Sequence, residues 1–221
     1  RVAVINFSEG EDLTAAIDDR PGVFGWQVDD VISLINQIRP SVDVIIVICH
    51  CGVEYIPFPP PYLASAFRRI AEAGADLVIG HHAHVPQGVQ ICNGVPICYS
   101  LGNFVFYQET DLFYRKLGYL VKAGVSRAGL AHIHLIPYEI GTECLRLLRG
   151  DESALFFESL KKVSLPLADP EGITEAWQGF LRYYGLKGFR DEIAMILAKM
   201  AQEPAKGAAM LRNRIAPMQH R

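Results

Sequence analysis

The stretch Val42-Asp-Val-Ile-Ile-Val-Ile-Cys49 decides the fold of this chain. It is a nearly continuous run of β-branched apolar residues, which is typical of a central strand covered on both faces. After a proline-rich segment at residues 57–61, residues 63–70 carry apolar side chains at helical spacing, and Gly74 ends the helix. Residues 76–79 predict the next buried strand. Two strands joined by a helix form a right-handed βαβ unit, so the sequence predicts parallel strands whose carboxyl ends share one edge of a sheet.

Further elements are predicted on both sides of this unit. Residues 2–7 resemble a buried strand, which indicates that the chain starts inside a domain, and residues 28–38 form an amphipathic helix. Residues 89–99 predict a hairpin that turns at Asn93-Gly94, and residues 132–138 an alternating strand. The fold class is therefore predicted to be α/β.

The last third of the chain has a different pattern. From about Glu152 onward short helical stretches alternate with proline- and glycine-containing breaks. We therefore predict a domain over residues 1–150 and a helical tail or cap over residues 151–221.

Composition excludes several classes of protein. The chain has 221 residues, of which 50% are hydrophobic, as expected for one globular domain with a helical appendage. A net charge of −3 gives no general attraction for a phosphate backbone, so nucleic acid is not an expected partner. No stretch approaches the roughly 18 to 20 apolar residues of a membrane span. Five cysteines at irregular spacing argue against a disulfide framework and favour a reducing, cytoplasmic location.

Histidines follow both strands of the βαβ unit. His50 comes directly after the first strand, and Gly80-His-His-Ala-His84 comes after the second. The crossover brings these four imidazoles to one edge of the sheet, where Gly80 would permit a sharp turn. One such histidine is usually a polar loop residue, but four that converge favour a site for Zn, Mn, Fe or Ni.

Other residues near these strands also have to be weighed between a functional and a structural interpretation. Glu54 lies four residues after His50 and is either a metal ligand, an orienting group or base, or a solvated loop acid. Asn103 either donates its amide to a ligand or closes a turn. Cys49 and Cys51 should point away from His50, as small core residues.

Three segments carry a resemblance to a known family. Asp43-Val-Ile-Ile-Val-Ile-Cys-His-Cys-Gly-Val-Glu54, Gly74-Ala-Asp-Leu-Val-Ile-Gly-His-His-Ala-His84 and Tyr99-Ser-Leu-Gly-Asn-Phe-Val-Phe106 resemble, in order and spacing, the capsule-synthesis CapA family. That family is associated with poly-γ-glutamate capsule synthesis and is similar in fold to the calcineurin-like metallophosphatases. The resemblance covers roughly residues 1–140 and implies a layered, metallophosphatase-like α/β sheet.

The resemblance also implies roles for individual residues. His50 and Glu54 match a His-x-Gly-x-Glu motif, while His82 and His84 match a His-x-His metal motif. The implied metal ligands are thus His50, His82 and His84. Glu54 and His81 are the candidate catalytic groups.

The family's earlier motifs, a Gly-Asp after the first strand and an Asn-Asn-His loop, do not occur in this sequence. The chain therefore resembles the second half of the family domain. Separately, Asn103 is a candidate cofactor-binding residue, because its amide could contact a ligand.

Two functions are compatible with these residues. The first is a metal-dependent hydrolase acting on a phosphoester, with Mn, Zn or Fe as the cofactor. The second is a non-catalytic accessory protein that binds an anionic polymer or helps to export it. A purely structural metal site is disfavoured, because such sites are usually closed and rich in cysteine.

Overall fold

The main sheet has five strands in the order β1-β2-β3-β5-β4. The computed structural model describes residues 1–9, 15, 16, 19–183 and 185. The strands of this sheet are β1 (Val2–Ser8), β2 (Val44–Cys51), β3 (Leu77–His82), β4 (Val89–Cys92) and β5 (Val95–Cys98). The first three strands and β5 run parallel, and β4 joins β5 as an antiparallel hairpin. This arrangement confirms the predicted α/β class.

Two helices cover one face of this sheet. They are α1 (Val28–Ile38), followed by the 3₁₀ helix Arg39–Ser41, and α2 (Pro61–Glu72). Val31 and Ile35 of α1 are fully buried, as are Leu63 and Phe67 of α2, and all four pack in one core with Val47 of β2. Burial of each such side chain contributes about 1.5–3 kcal/mol, so this core holds the βαβ unit in place.

Both strands of the βαβ unit extend further toward their carboxyl ends than the sequence predicts. His50 lies within β2 rather than after it, and Gly80 and His82 lie within β3. The predicted sharp turn at Gly80 is wrong. A Cβ atom there would lie 2.1 Å from the carbonyl oxygen of Tyr99, so glycine is needed for the close approach of β5.

A second, antiparallel sheet follows. Its strands are β6 (Leu117–Ser126), β7 (Gly129–Ile140) and β8 (Leu145–Leu147), preceded by the 3₁₀ helix Phe113–Lys116. The helix α3 (Gly150–Ser164) and the 3₁₀ helix Leu165–Ala168 come next. Tyr119, Phe156 and Leu160 form a second core with Cys98 of β5.

The hairpin prediction is confirmed, since Asn93 and Gly94 both adopt positive φ between β4 and β5. The predicted alternating strand corresponds to part of β7. Layering of the metallophosphatase kind stays a prediction.

By its internal contacts the chain divides into a unit Arg1–Trp177 and a unit Gln178–Arg221. The first unit includes α3 and the start of a helical stretch over residues 170–183. The predicted division after residue 150 stays a prediction, and the tail beyond residue 185 lies outside the described residues. Within the described part, no helix has the length and apolar character that crossing a membrane requires.

Candidate metal centre

Three of the predicted metal ligands lie together at the carboxyl edge of β2 and β3. His82 Nδ1 is 3.0 Å from His50 Nε2, and the two rings are 4.8 Å apart between centroids. The His84 ring lies 5.7 Å from that of His82. The parallel pairing of β2 with β3 produces this proximity, as the crossover rule predicts.

The backbone at this edge adopts unusual conformations. Tyr55, His82 and His84 have positive φ values of 63°, 90° and 58°. Such values cost roughly 1–3 kcal/mol for a residue other than glycine, and they cluster at functional sites. The Tyr55 amide donates to the Ala83 carbonyl at 2.8 Å, so the two loops hold each other in these conformations.

Glu54 faces the same histidines. Its Oε1 atom is 3.7 Å from His84 Nε2, and its side chain is 48% exposed. Glu54, His82 and His84 each offer one potential ligand atom, and these three atoms lie within 4.8 Å of one another. Atoms bound to one zinc ion at about 2.1 Å lie roughly 3.4 Å apart, so a small side-chain adjustment would close the set. Two imidazoles and a carboxylate are a donor set suited to zinc or iron, which fits the metals expected from the sequence.

Asn103 sets the orientation of His84. Its side-chain Oδ1 is 2.6 Å from His84 Nδ1, so in the tautomer with a protonated Nδ1 this nitrogen donates to Asn103, and Nε2 is the lone-pair nitrogen facing Glu54. Asn103 is only 5% exposed, and its carbonyl oxygen accepts a hydrogen bond from the Tyr138 hydroxyl at 2.6 Å. Direct contact of Asn103 with a cofactor stays a prediction.

His81 lies beside His50 on the neighbouring strand, in register with it. Burial lowers the pKa of His81, and the nearby charge of His50 lowers it further. Both effects favour the neutral imidazole, which can accept a proton. Its catalytic role stays a prediction.

Glu9 anchors the loop that follows His50. Its Oε2 atom accepts a hydrogen bond from the Gly52 amide at 2.8 Å, and its Oε1 atom accepts one from the Tyr62 hydroxyl at 2.5 Å. This link between the end of β1 and the loop carrying Glu54 was not apparent from the sequence, because the partners are 43 and 53 residues apart.

The two cysteines beside His50 are core residues, as predicted. Cys49 and Cys51 are buried against the helix-covered face, whereas His50 is exposed. Burial raises the pKa of the Cys51 thiol, so it remains protonated at neutral pH.

Aromatic rings flank His84 on the approach to the site. The Tyr55 ring stacks on the His84 ring at 5.7 Å, and the Phe106 ring lies 5.6 Å from it. Neither ring contact was predicted from the sequence. Tyr55 directly follows Glu54, and that adjacency was the available signal.

Comparison with known proteins places these motifs in one family. Residues 2–108 match the bacterial capsule synthesis protein family PGA_cap. The chain is 38% identical over 94 residues to the PGA biosynthesis protein CapA of Bacillus subtilis, covering 42% of this chain and 25% of that protein. It is 34% identical over 145 residues to the capsule biosynthesis protein CapA of Bacillus anthracis, covering 63% and 35% respectively.

A more distant relative is a probable polyglutamine synthesis accessory protein of Mycobacterium tuberculosis. It is 28% identical over 154 residues, which cover 63% of this chain and 40% of the relative. The chain thus spans between a quarter and two fifths of the length of these relatives.

Proposed function

Because residues 2–108 match the bacterial capsule synthesis protein family PGA_cap, we propose that this chain acts in poly-γ-glutamate capsule biosynthesis. We further propose that it does so with a metal-dependent, phosphoesterase-like hydrolase site. The observation that carries this proposal is the convergence of Glu54, His82 and His84 at the edge of the sheet.

The residues of the site have distinct proposed roles. His82 and His84 would hold a divalent ion with Glu54, and His50 would support them through its contact with His82 Nδ1. A bound divalent metal lowers the pKa of a water molecule so that hydroxide forms near neutral pH. His81, which burial keeps neutral, would accept the released proton at an imidazole nitrogen.

A non-catalytic role is the second candidate. Among the described residues, the potential metal-binding group contains one carboxylate, Glu54, whereas a two-metal hydrolytic site clamps both the attacking and the leaving oxygen. The Mycobacterium tuberculosis relative is also named as a probable accessory protein. In this case the chain would bind the anionic polymer or help to export it without cleaving it.

Calorimetric titration with Mn²⁺ and Zn²⁺ tests the metal site. We expect the 221-residue chain to bind these ions weakly, and His82→Ala and His84→Ala to weaken binding at least tenfold, as loss of a ligand requires. The matched control is His134→Ala, which removes an exposed histidine on β7. Equal affinity for all four proteins would overturn the proposed metal site.

Turnover of an aryl phosphate then separates the two functions. Because the described residues contribute one carboxylate, that of Glu54, to the potential metal-binding group, we expect little activity from the chain with added Mn²⁺ or Zn²⁺. Turnover that disappears in His84→Ala would support the hydrolase. Metal binding without turnover, together with binding of the polymer, would support the accessory role.

A further inference from the structure

Two cations lie beside the candidate metal centre, each placed over an aromatic ring. Arg115 Cζ lies 3.9 Å from the centroid of the Tyr55 ring, and Lys116 Nζ lies 5.7 Å from that of Tyr107. Both cations come from the 3₁₀ helix Phe113–Lys116, which leads into β6. Such cation–π contacts hold a charged group in place without neutralising it.

Tyr55 connects this cationic pair to the metal centre. Its ring stacks on the His84 ring, with an angle of 29° between the planes. Its hydroxyl accepts a hydrogen bond from Gln108 Nε2 at 2.7 Å, and its backbone has a φ of 63°. The Tyr55 ring therefore lies in contact with both the Arg115 guanidinium and the His84 ring. Its stacking on His84 and its hydrogen bond with Gln108 hold it in place.

The charge of this pair is not balanced within the described part of the chain. Neither Arg115 nor Lys116 forms an ion pair with a described acidic residue, in contrast to Arg39 and Arg146, which do. Arg115 Nε is buried with no hydrogen-bond partner among the described groups. An arginine with unused donors close to a candidate active site suits a bidentate carboxylate or phosphate ligand.

The surface next to these cations is apolar. Phe104, Val105 and Phe106 are 53%, 80% and 56% exposed, and they lead directly to Tyr107. A γ-linked glutamate chain presents one carboxylate per residue and two methylene groups in each backbone repeat. In such a chain, charged carboxylates alternate with apolar methylene groups, and separate cations beside exposed apolar side chains match this pattern. A single phosphate group would instead be bound by several converging donors.

We propose that Arg115 and Lys116, held over Tyr55 and Tyr107, form carboxylate subsites that guide a γ-linked glutamate chain past His84. This inference rests on the proposed role in poly-γ-glutamate biosynthesis and names the ligand of that same site. It requires neither hydrolysis nor a bound metal.

Binding of a fluorescent ten-residue γ-glutamate oligomer to the 221-residue chain, followed by anisotropy, tests these subsites. Chelator in the buffer makes the result independent of the metal centre. We expect Arg115→Gln and Lys116→Gln each to weaken binding about tenfold, because each removes a hydrogen bond to a charged group. Both variants should also show a smaller dependence on salt concentration.

Three controls make the result specific. Lys122→Gln removes an exposed lysine on β6 and should leave affinity unchanged. Arg115→Lys keeps the charge but loses the planar donor pair, so an intermediate affinity is expected. If Arg115→Gln proves unstable by circular dichroism, Lys116→Gln decides the question, because it tests the second subsite separately.

Unchanged affinity for the oligomer in both Arg115→Gln and Lys116→Gln would overturn the subsites. A loss of affinity in Lys122→Gln as large as in these two variants would also overturn them, because it would indicate unspecific charge attraction. Inorganic phosphate and unlabelled γ-glutamate oligomer can each be used to displace the fluorescent oligomer. Displacement by phosphate at a lower concentration than the unlabelled oligomer requires would overturn the carboxylate assignment. If His82→Ala retained metal affinity while the oligomer bound in an Arg115-dependent way, the metal centre would fail and these subsites would stand.

Discussion

Asn103 Oδ1 lies 2.6 Å from Nδ1 of His84, and this contact joins two motifs that are 19 residues apart in the chain. The asparagine is buried, so the contact is shielded from water. In the tautomer with a protonated Nδ1, this contact leaves Nε2 of His84 free to bind an ion. Asn103 is thus a positioning residue for His84.

Asn103→Ala should lower the affinity for divalent metal without removing a ligand. Loss of the acceptor frees the His84 ring to rotate and to change tautomer, and loss of such an outer partner typically costs about 10–100-fold in metal affinity. Calorimetric titration with Zn²⁺ measures the effect.

Asn103→Asp keeps an oxygen acceptor at the same position and should restore most of the affinity lost in Asn103→Ala. Asn36→Ala, on the exposed face of α1, is the matched control and should bind Zn²⁺ as the unaltered chain does. Equal Zn²⁺ affinity in Asn103→Ala and the unaltered chain would show that His84 needs no support from Asn103.

Tyr138 supports Asn103 in turn and gives the stability of the chain a pH dependence. Burial raises the pKa of Tyr138 to about 12 from its usual 10.0. Between these values the unfolded chain has lost the phenolic proton while the folded chain retains it, so the free energy of unfolding falls as pH rises.

Tyr138→Phe should therefore lose stability less steeply between pH 10 and pH 12. Below pH 10 it should be less stable by about 1 kcal/mol, because the Asn103 carbonyl oxygen loses its donor. Urea unfolding across this pH range is the measurement. Parallel pH profiles for the two proteins would contradict a buried, protected hydroxyl.

The sequence was sufficient to predict the βαβ unit and the edge at which the histidines meet. The apolar run predicted the strand β2, although among the described residues helices cover only the face that carries Val47, while Ile46 and Ile48 on the other face are half-buried. The parallel pairing that follows from the crossover determines where His50 and His82 lie. Local pattern and topology were enough in this case.

The contacts that shape the site were not predictable in the same way. Tyr55, Glu9 and Arg115 acquire their roles through partners distant in sequence, and neither spacing nor composition indicates those pairs. Gly80 illustrates the same limit: its residue type signalled a special backbone requirement, but the requirement is the approach of Tyr99 from another strand rather than a turn.

Gly80→Ala should destabilise the chain by about 1–3 kcal/mol or more, the range typical of overpacking in a core. The added methyl group would meet the Tyr99 carbonyl oxygen and carbon and the Phe67 ring, at 2.1, 2.9 and 3.0 Å. The midpoint of urea unfolding measures the loss.

Gly179→Ala is the matched control, because nothing lies within 4 Å of the Cβ position in that helical residue. It should be neutral or stabilise the helix by up to about 1 kcal/mol. A Gly80→Ala protein as stable as this control would refute the close approach between β3 and β5.

Reaction with a disulfide reagent should distinguish one cysteine from the other four. Cys144 is exposed, Cys92 is half-buried, and Cys49, Cys51 and Cys98 are buried. Burial also raises the pKa of the Cys98 thiol to about 12, so little reactive thiolate forms there. We expect one fast thiol in the folded chain, which Cys144→Ser abolishes, and five after unfolding. Zn²⁺ bound to the folded chain should slow the three buried thiols alike, because it stabilises the folded state. Selective protection of Cys49 or Cys51 relative to Cys98 would make them ligands and refute a histidine and carboxylate site.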